Sequence, residues 1–310
     1  MTHPRALKPG DRVAIVSPAS PIVPENLEPG LAKLRAWGLE PVLMPHALDQ
    51  DFYLAGTDAG RAQDLMDAFL DPQFAAVICS RGGYGCARLM PHLDLDALAQ
   101  SGKLFVGFSD VTTLHLALNR RGLITFHAPM LLTWVKERPS WVEESWRQAL
   151  MGGDPLQVGA PAARTVVSGC AEGLLTGGCL CLLTDSLATP DALDARGRLV
   201  LIEDVDENPH RVDAMLTHLM LSGALSEAAG LVIGEMTGTD SRADATIGSK
   251  PWREIVIERL GPLGLPMVID FPMGHAEAML SIPLGVRARL DADAGTLTLL
   301  ESPCAASSPV

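Results

Sequence analysis

No run of about 18 or more apolar residues, the length that crosses a bilayer as a helix, occurs in this 310-residue sequence. The stretch from Met1 to Asp11 carries prolines and charges where a secretory signal would have an apolar core. Both absences predict a cytoplasmic protein with no membrane partner. Positive charge is in deficit: Lys and Arg number 24 against 37 Asp and Glu, a formal net charge of −13. Polyanions are bound largely by Lys and Arg that release counterions from phosphates, so nucleic acid is not an expected partner.

Cysteine is sparse, and its spacing lacks a metal signature. The six cysteines stand at 79, 86, 170, 179, 181 and 304, mostly within apolar or Gly-rich stretches, where a free Cys behaves as a small buried hydrophobe. Reduced thiols are therefore expected. C-x-x-C and H-x-x-x-H are both absent, and Cys179-Leu180-Cys181 is a C-x-C on one apolar segment. No metal and no cofactor is expected on that ground.

What is present is an ordinary globular composition, 47% hydrophobic and 20% charged, long enough on a prior of about 100–200 residues per domain for two domains with a site between them. In the first half, short β-rich runs alternate with amphipathic stretches. The runs are Val13–Ser17, Pro41–Met44, Ala76–Ser80, Leu104–Gly107 and Leu123–Phe126. The helical stretches are Leu27–Trp37, Arg61–Leu70 and Val111–Arg120, with apolar residues recurring at three and four. This alternation predicts an N-terminal doubly wound, mostly parallel α/β sheet. Such sheets bind ligands beyond the carboxyl ends of their strands, so Ser17-Pro18, Ser80-Arg81-Gly82-Gly83 and Gly107-Phe108-Ser109-Asp110 should face one crevice.

The segment from Pro139 to Arg164, rich in Gly, Pro and polar residues, suits a linker. It divides the chain into an N-terminal α/β domain, 1–160, and a C-terminal mixed α/β, β-rich and barrel-like domain, 161–310. The second half holds the runs Gly173–Leu175, Leu199–Ile202, Leu231–Gly234 and Met267–Phe271. Helices are expected over Leu180–Ala188, Arg211–Leu221 and Trp252–Leu260. A pair near Val286–Leu290 and Thr296–Leu300 reads as a closing hairpin. The tail from Ser302 is expected to fray.

Four features carry candidate chemistry. Ser109 follows an apolar strand and opens a helix. A hydroxyl there sits on a sharp turn near backbone N–H groups that stabilise a developing oxyanion, although a Ser at a helix start also serves as a cap. The loop from Ser80 to Gly85, with three glycines in four residues, lets backbone N–H groups approach a ligand; a plain tight turn reads the same way. Glu203 ends the run Leu199–Ile202 and needs a partner if buried, while Asp204, Asp206 and Glu207 read as solvated or first-turn charges. They lack the spacing of a calcium loop. His275, preceded by Phe271-Pro-Met-Gly, is a loop histidine, which is either a surface residue or a proton carrier.

Taken together these segments resemble the LD-carboxypeptidase family of serine peptidases, which includes the microcin-immunity peptidases. The similarity runs from Val13 to about Leu290. It is carried by Val13-Ala-Ile-Val-Ser-Pro-Ala-Ser, Ala55-Gly-Thr-Asp, Ser80-Arg-Gly-Gly-Tyr-Gly-Cys-Ala-Arg-Leu, Val106-Gly-Phe-Ser-Asp-Val-Thr, Leu201-Ile-Glu-Asp-Val and Pro272-Met-Gly-His. The resemblance implies Ser109 as nucleophile, His275 as general base and Glu203 as the residue that orients it. It also implies an oxyanion hole of backbone N–H groups, placed at Gly83 and Asp110, with Arg81 and Tyr84 as substrate-binding candidates and Arg88 beside them. The implied substrate is a murein tetrapeptide, which loses its terminal D-alanine in cell-wall recycling, without a metal. An acyl-sulfamoyl or peptidyl-nucleotide amide is the alternative within the family, and a non-catalytic small-ligand-binding α/β protein the alternative outside it. A homodimer is expected from the same resemblance. Two positions depart from the pattern: Ala128 stands where His-Gly-Pro is expected, and Cys179 where Gly-Gly-Asn-Leu is expected.

Overall fold

A computed structural model describes residues 1–246 and 248–305. Its strands are β1 (Arg12–Val16), β2 (Glu40–Leu43), β3 (Phe74–Cys79), β4 (Leu104–Gly107), β5 (Thr125–His127), β6 (Arg164–Val167), β7 (Cys170–Cys179), β8 (Arg198–Val205), β9 (Gly230–Thr237), β10 (Met267–Ile269), β11 (Ile282–Leu284), β12 (Arg287–Asp291) and β13 (Thr296–Leu299). The helices are α1 (Glu28–Ala36), α2 (Asp58–Leu70), α3 (Cys86–Leu89), α4 (Leu95–Gln100), α5 (Thr112–Arg120), α6 (Ser140–Met151), α7 (Leu180–Asp185), α8 (Pro209–Leu221) and α9 (Trp252–Leu260).

The first sheet has the order β11-β5-β4-β3-β1-β2, with β1 to β5 parallel and β11 antiparallel at one edge. Every residue of β3 and β4 is buried, the consequence of helices covering both faces of a parallel sheet. The second sheet, β13-β12-β7-β8-β9-β10-β6, is mixed: β7 to β10 run parallel, and β6, β12 and β13 antiparallel to their neighbours. It curls as a half-barrel, and β12 and β13 form the expected closing hairpin, with Asp291 opposite Thr296.

Two expectations need correction, and one strand was not foreseen. The stretch from Pro139 read as a linker opens with the helix α6, whose Val142, Trp146, Ala149 and Leu150 enter the first core. Its apolar face repeats at three and four, but the glycines and prolines that follow mask it. The chain also crosses back: β11 pairs with β5, with Ile282 opposite His127. A three-residue strand with a central Pro is too short to show a period, and Pro is tolerated there because β11 lies at an edge. The tail does not fray at Ser302. Cys304 is buried in the first core, and the Ala305 N–H donates to the Pro4 carbonyl at 2.8 Å; residues 306–310 lie outside the described ones.

Candidate active site

The carboxyl ends of β1, β3 and β4 lie side by side, and their hydroxyls and glycines touch. Ser17 Oγ stands 2.6 Å from Ser80 Oγ, joining the ends of β1 and β3. The loop after β3 is pinned from below by buried Arg61, which donates to the carbonyls of Pro18 and Gly85. Beyond it, Gly82 lies flat against Ser109: a Cβ there would stand 2.8 Å from Ser109 Cβ and 2.9 Å from its Oγ. Only glycine lets the loop come that close.

Ser109 has φ of +65°, a region that non-glycine residues avoid at a cost of about 1–3 kcal/mol. The turn is therefore sharp and held by its surroundings. Below it, buried Asp110 accepts the Cys86 N–H at 2.8 Å, and buried His115 bonds the Gly107 carbonyl at 2.9 Å. Ser109 caps no helix: neither the short 3₁₀ turn it opens nor α5 has a side-chain cap. Among the described residues, no acceptor takes the N–H of Gly83 or of Asp110.

The second sheet brings an acid and an imidazole to the same place. Glu203, on β8, is fully buried, and its Oε2 lies 2.7 Å from His275 Nδ1 and accepts the His275 backbone N–H at 3.2 Å. Gly274 makes this approach possible, since its φ is +76° and a Cβ would stand 2.1 Å from Glu203 Oε2. With Nδ1 engaged by the carboxylate, the N–H is fixed on that side and Nε2 is left as the acceptor. Burial raises the Glu203 pKa, but the facing imidazole outweighs it and holds the carboxyl below its ordinary value. Burial likewise lowers the His275 pKa, and the Glu203 carboxylate outweighs that, so the imidazole titrates above its ordinary 6.5.

Ser109 and His275 line one cavity of about 530 Å³, and the ring of Phe108, one residue before Ser109, stands edge-to-face with the His275 ring, centroids 4.9 Å apart. The Phe108 ring also lies 5.7 Å, centroid to centroid, from that of His127. His127 is buried, both its ring nitrogens are without a hydrogen-bond partner among the described residues, and burial lowers its pKa to about 4. The two sheets are tied at this point, where the Cys179 N–H at the end of β7 donates to Thr112 Oγ1 at the start of α5, 3.1 Å.

Among the described residues, the cavity wall holds three cations, Arg81, Lys136 and Arg138, and no carboxylate. Arg81 is spent partly on the carbonyls of Gly82 and Pro21, and Arg138 on those of Ala276 and Glu277. Lys136 and Arg138 went unnoticed in the sequence, because Lys136-Glu-Arg138 abuts the supposed linker and no spacing connects it to Ser109. Tyr84, expected with Arg81 at the substrate, stands elsewhere: it lines a separate, more apolar cavity of about 760 Å³ and packs on Tyr53. That larger space contains neither Ser109 nor His275 in its wall. Arg88 is bound to Asp58 at 2.8 Å and reaches neither cavity.

A hydroxyl on a strained turn, a carboxylate-oriented imidazole and the unclaimed N–H of Gly83 line one cationic cavity, and such groups are the parts of acyl transfer through a serine. Comparison with known proteins bears on the family. The LD-carboxypeptidase N-terminal domain matches residues 13–128 and the LD-carboxypeptidase C-terminal domain residues 172–290. The chain is 32% identical over 295 residues to the murein tetrapeptide carboxypeptidase of Pseudomonas aeruginosa, covering 90% of this chain and 93% of that one. Among solved structures it is similar to muramoyltetrapeptide carboxypeptidase from Oxalobacter formigenes, with a TM-score of 0.80, 28% identity and coverage of 93% and 97%. The microcin C7 self immunity protein MccF superposes with a TM-score of 0.86 over 98% of this chain and 100% of that one. At 24% identity this is a likeness of fold.

Proposed function

The chain belongs to the LD-carboxypeptidase family of serine peptidases, and from that premise we propose that it releases the terminal D-alanine of murein tetrapeptides through a Ser109–His275–Glu203 triad. The observation that carries this reading is the 2.7 Å Glu203–His275 pair at the cavity that Ser109 also lines. His275 Nε2 takes the Ser109 proton as Oγ bonds to the peptide carbonyl carbon. The N–H groups of Gly83 and Asp110 stabilise the oxyanion. As the C–N bond breaks, the imidazolium returns its proton to the departing amine, leaving an acyl-serine. Water then attacks the ester, giving its proton to His275, and Oγ recovers that proton as it leaves. Glu203 holds the tautomer and stabilises the imidazolium throughout.

The cationic wall supports a substrate that ends in a carboxylate, with Arg81, Lys136 and Arg138 facing it. In this reading residues 1–160 supply the nucleophile and 161–310 the acid and the imidazole. The enzyme works in the cytoplasm as a two-fold dimer, the commonest closed assembly; cell fractionation and light scattering check these two points.

The test is a fluorophosphonate probe together with two substrates. Labelling of the folded protein, lost in Ser109→Ala, is expected, along with D-alanine release from an L,D-tetrapeptide that falls about 10⁴–10⁶-fold in the same variant. Faster cleavage of an aminoacyl-sulfamoyl nucleotide would move the substrate to the microcin-immunity class. Absence of labelling with intact fold would leave a binding protein and end the peptidase reading.

A further inference from the structure

Behind the Glu203 strand end lies a second cluster that the proposed hydrolysis does not use. Cys179 ends β7, Cys181 stands in the first turn of α7, and Asp204 follows Glu203 on β8. Their ligand atoms all lie within 4.8 Å of one another. We propose that Cys179, Cys181 and Asp204 form a binding site for a thiophilic divalent cation of the zinc class.

The distances carry the argument. A tetrahedral zinc with Zn–S of about 2.3 Å and Zn–O of about 2.0 Å separates two sulfurs by roughly 3.8 Å and a sulfur from an oxygen by roughly 3.5 Å. Here the two Sγ atoms are 3.4 Å apart, and Cys179 Sγ is 3.5 Å from Asp204 Oδ1. The Cys179–Asp204 edge already has the length the metal requires, the sulfur pair needs to open by a few tenths of an ångström, and Cys181 Sγ lies within 4.8 Å of the Asp204 carboxylate. The cation would replace the weak S–H bonds that now hold these atoms together.

The surroundings suit a site as well as the distances do. Asp204 is 1% exposed, and its carboxylate is oriented by two backbone donors, Cys181 N–H on Oδ2 at 2.9 Å and Val205 N–H on Oδ1 at 2.7 Å. Outer-shell hydrogen bonds of this kind fix a ligand before the ion arrives. Cys179 is held in turn through its own N–H on Thr112 Oγ1. Cys181 is only partly buried, so in this proposal the ion enters on that side and water completes its coordination. Local spacing hid the cluster because C-x-C supplies two ligands, and the third comes from the neighbouring strand, where Cys179 pairs in register with Glu203, one residue before Asp204.

The full-length protein, kept reduced with a phosphine, is titrated with Cd²⁺, whose thiolate charge-transfer absorption reports sulfur ligation directly, and Zn²⁺ is added in competition. One equivalent of Cd²⁺ is expected to produce the band, and Zn²⁺ to abolish it. Cys181→Ser, a change at a partly exposed side chain, should weaken Cd²⁺ binding about 100-fold or more, beyond the 10–100-fold that loss of an outer-shell partner costs. Asp204→Asn should weaken it in the same direction, whereas Cys170→Ser, at the exposed thiol outside the cluster, should bind as the parent does. No band in the reduced parent, or equal titrations for Cys181→Ser and Cys170→Ser, overturns the site. The readout is metal and not turnover, so failure here leaves the peptidase reading untouched.

Discussion

Burial by itself would make His275 a poor proton acceptor to study at neutral pH, because a dry site disfavours the imidazolium; the Glu203 carboxylate reverses the sign and lifts its pKa above 6.5. The proposed mechanism needs the neutral ring. Activity should therefore fall as pH drops through that raised value, placing the acid limb of kcat/KM above 6.5. Glu203→Gln removes the charge that sustains the shift, so the limb should move to lower pH. Because the amide no longer enforces the Nδ1–H tautomer, kcat should drop by about 10⁴, as for the corresponding change in other triads. A pH–rate profile of both proteins checks this, and an unmoved limb would remove Glu203 from the role. Lys136 is a milder case. It faces the cavity without an acid partner among the described residues, so Lys136→Ala should raise KM by about five-fold, the equivalent of about 1 kcal/mol for an exposed ion pair, and leave kcat nearly unchanged. A fall in kcat with constant KM would place the lysine at the reacting atoms instead.

The elements that carry the site are turns at strand ends, and there sterics decide more than propensity. Gly82 lacks a positive φ among its reasons to be glycine; what excludes a side chain is Ser109, 2.8 Å from the Cβ it would bear. Gly82→Ala should thus leave the fold near its normal stability while pushing the nucleophile aside, and a displacement on the order of 1 Å costs about 10²-fold in rate. Melting temperature and kcat measured together separate this outcome from simple unfolding, which would lower both. The same elements explain what was legible from residues alone. β3, β4 and β1 from Val13 onward are unbroken apolar runs that stop at small residues, so the crevice at their ends could be read directly. The span Ser140–Met151 could not, since its helical face is followed at once by Gly152, Gly153 and Pro155, and composition averaged over the segment says loop. Ser109, Glu203 and His275 were each ambiguous in isolation, and the resemblance to a family joined them before any distance did. Lys136 and Arg138 were invisible because their relation to Ser109 is set by how the 3₁₀ turn at Leu131–Val135 folds over the sheet, a tertiary fact without a local pattern.

Across the whole molecule, a boundary near residue 160 divides the proposed chemical roles but not the packing. The first core takes Met279, Val286 and Cys304 from beyond that boundary, β11 closes the edge of the first sheet beside β5, and the Cys179–Thr112 hydrogen bond joins the sheets next to Ser109. An edge strand stripped of β11 would present unpaired backbone groups and invite aggregation, so the first sheet has no ordered state of its own to fall back on when the second one melts. The chain should then unfold as one cooperative unit despite its two sheets. Tryptophan placement allows the test: Trp37, Trp134 and Trp146 pack in or against the first core, Trp141 packs against both the first core and the one on the inner face of the second sheet, and Trp252 lies in the core around α8 and α9. Fluorescence therefore follows mainly the first core, while far-ultraviolet circular dichroism follows both sheets. Coincident urea transitions by the two probes are expected, the signature of two-state behaviour. A fluorescence transition well separated from the dichroism one would show that β11 and the crossing residues contribute little, and that the two halves meet at the cavity as independent bodies.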